Sequence, residues 1–235
     1  MKLGEGPASG RTRGGRAAAV PGLDAERAFW RAGLRLVAGT DEVGRGALAG
    51  PLVAGAVVLP ACEGVALRRL RAALAGVRDS KELSPERRRE LVGPIRAAAA
   101  GVAVGVVEAD ELDEVGLAAA NRLAMERAVS ALPIPPEALL LDACVVDLGL
   151  PQVGLIGGDA RCLSIAAASI VAKVTRDRVM TEADALDPRF GFALHKGYAS
   201  ALHRDRLARH GPGPIHRRCF RPVACWRDWE EGAEA

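Results

Sequence analysis

Aromatic residues are scarce in this sequence of 235 residues, which holds three tryptophans, one tyrosine and four phenylalanines. Because hydrophobic residues still make up 49% of the chain, a core must be filled mainly by Leu, Val, Ile and Ala. Long hydrophobic runs are also missing: no stretch reaches the roughly 18 residues that a membrane-spanning helix requires, and residues 1–22 contain no hydrophobic signal core. We therefore expect a cytoplasmic protein with no membrane partner.

Cysteine occurs five times, but never in a CxxC pair or in the Cys/His spacing of a zinc site. Odd, scattered cysteines are typical of free thiols in a reducing compartment, so neither a disulfide scaffold nor a zinc module is expected. The five positions are Cys62, Cys144, Cys162, Cys219 and Cys225.

Net charge is small, at +3, which allows a nucleic-acid partner without requiring one. The length fits one large domain, or one domain with a small appendage. Residues 1–22 are rich in Gly, Ala and Arg and predict a flexible basic tail, and residues 230–235 predict a frayed acidic end.

Strands and helices alternate between these ends. Apolar runs bounded by turn residues predict strands over 34–40, 52–59, 102–107, 139–141 and 153–156, the last two buried on both faces. Apolar periodicity and caps predict helices over 24–32, 85–99 (with Ser84 as N-cap), 110–132 (broken near Gly116), 163–185 and 201–209. This order indicates an α/β fold with a mixed sheet.

Acidic residues follow three of the predicted strands. Asp41 and Glu42 follow 34–40, Asp142 follows 139–141, and Asp159 follows 153–156 after two glycines. Since neighbouring strands lie ~4.8 Å apart, carboxylates at adjacent strand ends can converge, and their repulsion favours a divalent cation. Because all four are carboxylates, such oxygen ligands favour Mg²⁺ or Mn²⁺ and indicate two-metal phosphoryl transfer.

A simpler explanation exists for each acid taken alone, because Asp and Gly commonly follow strands as turn and cap residues. Consecutive strand residues also point to opposite faces. Asp41 and Glu42 can therefore share one site only if the strand ends or bulges between them.

A glycine turn, Gly44-Arg45-Gly46, comes directly after the acidic pair. Glycine permits positive φ and close approach of the backbone to a ligand, so the N–H groups of such a turn can hold a phosphate or a hydroxyl. The same residues would also serve an ordinary hairpin. Their position next to two acids is what favours a binding role.

Six segments of the chain together resemble ribonuclease HII, in that family's order and spacing over roughly residues 25–223. The segments are AGTDEVGRGALAGPLVAGAVVL (38–59), DSKELSPERR (79–88), LLLDA (139–143), GDARCLSIAAASIVAKVTRD (158–177), GFALHKGYASALH (191–203) and GPIHRRCFRPV (213–223).

The resemblance implies a ribonuclease H-like mixed β-sheet flanked by helices, with a C-terminal helical extension. It implies an endonuclease that cuts the RNA strand of RNA–DNA hybrids and cuts 5′ to a single ribonucleotide in duplex DNA, leaving 3′-hydroxyl and 5′-phosphate ends. On this basis we expect a catalytic domain over 23–185, a substrate-binding extension over 186–229 and a monomer that uses Mg²⁺ or Mn²⁺. A replication clamp is a further partner that the resemblance leaves open.

The resemblance also implies roles for individual residues. Asp41, Glu42, Asp142 and Asp159 match the family's four metal-binding carboxylates. The turn Gly44-Arg45-Gly46 matches the one that recognises the ribose 2′-hydroxyl, the group that distinguishes RNA from DNA. Tyr198 matches the tyrosine that stacks on the deoxyribose beside the ribonucleotide. Contacts to the nucleic-acid backbone are implied for Ser80 and Lys81, which otherwise belong to a loop that feeds a helix, and substrate contact or site support is implied for Ser169 and Lys173.

Three positions depart from the family pattern: Ala143 replaces a usual glycine after Asp142, Ser200 a commoner threonine, and Cys219 a usual serine. Ala143 is the departure that bears on the turn aiming Asp142.

The helix over 163–185 carries a mostly apolar stripe and a polar stripe. The polar stripe, which includes Arg176, is either a contact for the substrate backbone or a solvated face. We expect basic residues in the C-terminal part to grip DNA, namely His195, Lys196, His216 and Arg217. We expect the histidines to be structural or phosphate-contacting groups rather than general bases, since two-metal hydrolysis does not need an imidazole.

Three alternatives stay open from the residues alone. Ribonuclease HIII shares the fold but has an extra N-terminal domain, for which about 30 residues before the first strand are too few. An actin-like or sugar-kinase ATPase also places an acid and glycines after a first strand, but no second nucleotide-binding glycine motif is present. The third alternative is a nucleic-acid-binding module without catalysis.

Overall fold

The structure, a computed structural model, describes residues 20–226. Most of the predicted basic tail and the whole predicted acidic end lie outside the described residues. Gly22, inside the predicted tail, forms a parallel β-bridge with Cys162. Within residues 20–226, no helix is both long enough and apolar enough to cross a membrane.

A five-stranded mixed sheet forms the centre of the fold, and its strand order is β3-β2-β1-β4-β5. The first three strands pair antiparallel, whereas β4 pairs parallel with both β1 and β5. The predicted mixed sheet is therefore confirmed. The strands are β1 (Leu36–Val43), β2 (Leu52–Pro60), β3 (Gly101–Val107), β4 (Ala138–Asp142) and β5 (Gln152–Leu155).

Helices cover both faces of the sheet. The five predicted helices are confirmed, including the break at Gly116, whose φ is 79°, and the Ser84 cap, whose Oγ accepts from the Arg87 N–H at 3.2 Å. The sequence reading missed α2 and two short C-terminal helices. The helices are α1 (Asp24–Arg31), α2 (Gly64–Ala73), α3 (Pro85–Ala98), α4 (Ala109–Val115), α5 (Leu117–Ser130), α6 (Leu163–Leu186), α7 (Phe192–His195), α8 (Ala201–His210) and α9 (Arg221–Ala224).

Successive side chains along a strand point to opposite faces of the sheet, so the core has two parts. Ala38 of β1 packs with α5 residues such as Ala124, whereas Val37 packs with Ile165 of α6. On the α6 side the helix backbone lies directly on the sheet, because a Cβ at Gly39 would stand 2.3 Å from Ser164 Oγ and one at Gly55 2.3 Å from the Ala168 carbonyl. This close packing brings the start of α6 to the carboxyl end of β1.

The last strand differs from its prediction. We predicted that 153–156 is buried on both faces, but β5 is the edge strand of the sheet. Val153 is 43% exposed and Ile156, just past the strand, 84% exposed. The prediction was wrong because an apolar run does not reveal how many neighbours a strand has.

Candidate active site

The carboxyl ends of β1 and β4 bring the predicted acids to one edge of the sheet. Thr40 pairs with Leu141 in the parallel β1–β4 ladder, so Asp41 and Asp142 follow paired residues on neighbouring strands. Asp159 lies in the 3-10 turn Gly158–Ala160, just before α6. The Gly158 N–H donates to Asp142 Oδ1 at 2.7 Å, which joins that turn to the end of β4.

Asp41 and Glu42 reach this edge from opposite faces of the sheet. The expectation that the strand ends or bulges between them was wrong, because β1 pairs regularly with β2 through Asp41, Glu42 and Val43. Alternation puts Asp41 on the α6 face and Glu42 on the α5 face. Pairing between β1 and β4 stops at Thr40. Asp41 and Glu42 therefore lie in the part of β1 that no longer pairs with β4.

The charges of Glu42, Asp142 and Asp159 all act on Asp41, so the four acids lie near one another. Burial raises the pKa of Asp41 well above its usual value, and the charges of Glu42, Asp142 and Asp159 raise it further. Burial and the Asp142 charge raise the pKa of Glu42. Burial likewise raises the pKa of Asp142, with Asp159 adding to the effect. The ammonium group of Lys81 lies beside these acids, with its Nζ 3.3 Å from Asp159 Oδ2.

These residues fit a hard divalent cation. Among residues 20–226, buried Glu42 Oε2 has no hydrogen-bond partner, and a buried carboxylate oxygen left in that state is expensive unless a cation satisfies it. All four candidate ligands are carboxylates, the donors that Mg²⁺ and Mn²⁺ prefer. The acids do not form a ready-made ligand set, since no three Asp, Glu, His or Cys side chains within residues 20–226 are grouped to hold an ion as they stand.

Ala143 adopts the left-handed backbone that glycine favours, with φ 50°. Its N–H still donates to the Leu155 carbonyl at 3.1 Å, so the turn after Asp142 forms despite the missing glycine. An alanine in this conformation carries strain of about 1–2 kcal/mol, partly offset by the higher chain entropy of glycine in the unfolded state.

We predict that Ala143→Gly raises the free energy of unfolding by about 0.5–1 kcal/mol. Denaturant titration of the two proteins measures this difference. Ala73→Gly, in the last turn of α2, is the control and should destabilise, because there the backbone is helical and glycine only adds entropy cost. If Ala143→Gly also destabilises, the φ-strain explanation is contradicted.

The glycine turn lies beside the acids. Gly44 has φ 92°, Arg45 and Gly46 are exposed, and Arg45 Nη1 lies 3.9 Å from Glu42 Oε1. Within the described chain, the N–H groups of Arg45 and Gly46 donate to no backbone carbonyl. The turn can therefore offer backbone donors to a ligand at the carboxylate edge.

Tyr198 presents its ring beside α6. The residue is 36% exposed, with Lys173 Nζ 5.8 Å and Arg176 Cζ 5.3 Å from the ring centroid. An exposed ring beside cationic groups suits stacking on a nucleic acid. Lys173 is half-buried, and its Nζ donates to Asp177 Oδ1 at 2.6 Å.

Ser80 and Ser169 are buried serines that contact each other. The Ser80 N–H donates to Ser169 Oγ at 3.3 Å. This contact ties the segment that carries Lys81 to α6. Ser200, the other hydroxyl singled out in the sequence, caps α8, since its Oγ accepts from the His203 N–H at 3.1 Å.

Arg217 was expected to grip DNA but is buried, and the solvated alternative for Arg176 was wrong. His216 is also buried, which favours the structural one of its two expected roles. His216 is 2% exposed, and its Nε2 lies 3.0 Å from Nε2 of His203. Burial lowers the pKa of both histidines to about 4, so they are neutral structural groups at pH 7. Arg176 and Arg217 are fully buried. Their backbone partners reveal a role that charge patterning alone did not indicate.

A central mixed sheet with acids at the carboxyl ends of its first and fourth strands defines a ribonuclease H-like protein. A model of the family described as Ribonuclease HII matches residues 38–223. The ribonuclease HII of Chloroflexus aurantiacus is 50% identical over 205 residues, which cover 87% of this chain and 95% of that protein. That of Geobacillus kaustophilus is 50% identical over 198 residues, covering 84% and 73%.

Solved structures agree with this comparison. The ribonuclease H2 of Pyrococcus horikoshii matches with a TM-score of 0.68 and 28% identity, covering 83% of this chain and 99% of that one. The ribonuclease HII of Archaeoglobus fulgidus, solved in a complex with PCNA, matches with a TM-score of 0.65 and 30% identity, covering 82% and 97%.

This chain belongs to the ribonuclease HII family and is a type 2 ribonuclease H, a hydrolase. The family supports an endoribonuclease activity on the RNA strand of RNA–DNA hybrids. The ATPase alternative is thereby removed.

Proposed function

We propose that this enzyme, besides cutting hybrids, incises duplex DNA 5′ to a single embedded ribonucleotide and leaves 3′-hydroxyl and 5′-phosphate ends. We propose that Asp41, Glu42, Asp142 and Asp159 hold two divalent cations, Mg²⁺ or Mn²⁺, for this reaction. What supports the proposal is that Asp41 and Asp142 follow paired residues of neighbouring strands, that the charges of Glu42, Asp142 and Asp159 act on Asp41, and that a turn with exposed backbone donors follows Glu42.

The chain's own groups supply the setting for hydrolysis. When bound, such cations activate a water molecule and stabilise the leaving 3′ oxygen. Asp41 is buried and strongly coupled to its neighbours, so it is the acid whose charge most requires a cation. Lys81 places an ammonium group at Asp159, on the side from which an anionic substrate backbone would approach. No histidine is needed as a general base.

Recognition is divided between two surfaces in this proposal. The N–H groups of Gly44-Arg45-Gly46 bond the ribose 2′-hydroxyl, because that group alone separates RNA from DNA at a site. Tyr198 stacks on the neighbouring deoxyribose. Lys81 and Lys173 contact the strand backbone, and Ser80 and Ser169 support them from below. We expect cleavage 5′ to the ribonucleotide when the ribose is bound at the glycine turn and the neighbouring deoxyribose is bound at Tyr198.

The division into a catalytic domain over 23–185 and a substrate-binding extension over 186–229 is part of the proposal. Tyr198 and the helices α7 and α8 belong to the extension, whereas all four acids precede it. We propose that the enzyme acts as a monomer. A replication clamp is a candidate partner, by analogy with the complex of the Archaeoglobus fulgidus relative.

The deciding experiment uses three duplexes of one sequence: one with a single ribonucleotide, one with a continuous RNA strand and one of DNA only. The proposal predicts a cut 5′ to the ribonucleotide in Mg²⁺ and in Mn²⁺, cleavage of the hybrid, no cleavage of DNA and no cleavage in EDTA. Cleavage of the hybrid alone would contradict the single-ribonucleotide activity. Binding without any cleavage would show a silent nucleic-acid-binding module.

A further inference from the structure

Two buried arginines lie beneath the glycine turn. Arg176 of α6 and Arg217 are both 0% exposed. Burial lowers the pKa of Arg176 and lowers that of Arg217 to about 10. A buried guanidinium is costly unless its donors are satisfied. Within residues 20–226, Nη2 of Arg217 has no hydrogen-bond partner, and the groups that satisfy the other donors are informative.

Arg217 holds the turn from one side. Its Nη1 donates to the carbonyls of Gly44 at 2.6 Å and of Arg45 at 3.2 Å, and its Nε donates to Gly50 at 2.9 Å. These partners lie at both ends of segment 44–51, which we call the glycine loop. Arg217 therefore fixes the curvature of the loop through its backbone.

Arg176 holds the same loop and also reaches the segment that carries Tyr198. Its Nε donates to the Pro51 carbonyl at 2.8 Å and its Nη2 to Ala49 at 3.0 Å. Its Nη1 donates to the Lys196 carbonyl at 2.8 Å, two residues before Tyr198. The Arg176 guanidinium also faces the Tyr198 ring at 5.3 Å.

Gly44 has no room for a side chain because of this arrangement. A Cβ at Gly44 would stand 2.2 Å from Arg176 Nε, so the first glycine of the turn packs directly on the guanidinium. The Leu48 N–H also donates to the Gly197 carbonyl at 2.8 Å. The glycine loop and the tyrosine segment are thus joined through Arg176 and through one direct backbone bond.

We propose that Arg176 and Arg217 are positioning residues that clamp the glycine loop, with Arg176 setting its place relative to Tyr198, so that ribose recognition and junction recognition act as one unit. The inference rests on the proposed function, because it assigns a physical origin to the selectivity for a ribonucleotide beside DNA. Neither arginine needs to touch the substrate for this role.

Arg176→Lys tests whether Arg176 positions the glycine loop. Lysine keeps the charge but loses the planar guanidinium that donates to several carbonyls at once. Binding is measured with Ca²⁺ in place of Mg²⁺, on the single-ribonucleotide duplex and on the DNA-only duplex. We expect the preference for the ribonucleotide to fall about tenfold, as for the loss of one hydrogen bond to a charged group, while DNA-only binding changes little. Arg178→Lys is the matched control, because Arg178 lies on the same helix but is exposed and paired with Glu182 at 2.8 Å.

The link to Tyr198 is tested by combining Arg176→Lys with Tyr198→Ala. If Arg176 positions Tyr198, the loss of single-ribonucleotide cleavage in the double variant is smaller than the product of the two single losses. Losses that multiply fully would overturn the link. If Arg176→Lys folds and its preference for the ribonucleotide is unchanged, the proposal that Arg176 positions the glycine loop is wrong.

Failure to fold is also decisive. If Arg176→Lys does not fold, as judged by thermal melting, the preference is measured in Arg217→Lys, and an unchanged value there overturns the proposal. If neither variant folds, the arginines serve stability alone and the proposal is wrong. Failure of the proposed function is a separate outcome, because then the wild-type enzyme itself shows no preference for the single-ribonucleotide duplex.

Discussion

Asp41→Asn is expected to abolish cleavage while leaving substrate binding in place. Asparagine keeps the size of the side chain but removes the charge that, in our proposal, holds the cations. Metal-assisted hydrolysis supplies several kcal/mol of transition-state stabilisation, so the rate should fall by at least about 1,000-fold. Cleavage of the single-ribonucleotide duplex in Mg²⁺ and binding of the same duplex by anisotropy measure the two effects. Full activity of Asp41→Asn in Mg²⁺ would contradict the assignment.

The same substitution should stabilise the metal-free protein. Burial and three neighbouring carboxylates raise the pKa of Asp41, so ionisation of this group costs more in the folded state than in the unfolded state. Below the usual carboxyl pKa of 3.8 the group is protonated in both states and the cost is absent. As pH rises from there towards the raised folded pKa, the cost grows, and the wild type loses stability relative to Asp41→Asn.

Thermal melting in EDTA at pH 4 and pH 7.5 checks whether Asp41→Asn is more stable than the wild type. We expect Asp41→Asn to melt a few degrees above the wild type at pH 7.5, by roughly 2–4 °C for each kcal/mol, and the difference to shrink at pH 4. Excess Mg²⁺ should raise the melting temperature of the wild type more than that of the variant. Asp147→Asn is the control at an exposed acid. It should change neither the melting temperature in EDTA nor the increase caused by Mg²⁺. A variant that melts below the wild type at pH 7.5 would contradict the electrostatic argument.

Tyr198→Ala is expected to impair the single-ribonucleotide substrate far more than the continuous hybrid. Stacking on an aromatic ring is worth ~1–3 kcal/mol per nucleotide, so kcat/KM on the single-ribonucleotide duplex should fall about 10–100-fold. The hybrid has no DNA on the 3′ side of its ribonucleotides, so the junction contact contributes less there. The ratio of kcat/KM on the two substrates measures the effect.

Tyr198→Phe is the matched control, because it keeps the ring between Lys173 and Arg176 and should retain most of the selectivity. Equal losses on both substrates for Tyr198→Ala would argue against a junction role.

Local sequence signals predicted the elements that frame the site. Ser84 and Pro85 predicted the start of α3 because capping is a local interaction, and Gly116 predicted the break between α4 and α5. The apolar runs over 34–40 and 139–141 predicted the strands whose ends carry Asp41, Glu42 and Asp142. The sequence indicated that acids at adjacent strand ends can converge, whereas the parallel pairing of β1 with β4 that groups Asp41 with Asp142 is seen only in the structure.

Other features depend on contacts between distant residues. Nothing local shows that β5 lies at the sheet edge, since position in a sheet is set by the other strands. Arg176 looks like a surface residue on a helical wheel, yet carbonyls of the glycine loop about 125 residues earlier satisfy its donors. The regular course of β1 through Asp41 and Glu42 depends on pairing with β2, which outweighs the turn propensity of the acids and glycines.

Anomalous scattering from Mn²⁺ tests the central claim most directly. The crystal would contain the protein, Mn²⁺ and a duplex whose single ribonucleotide carries a non-hydrolysable linkage. The proposal predicts two manganese peaks about 3.5–4 Å apart, within bonding distance of the carboxylates of Asp41, Asp142 and Asp159, with Glu42 bound directly or through water. Manganese bound elsewhere, or absent from that edge of the sheet, would contradict it.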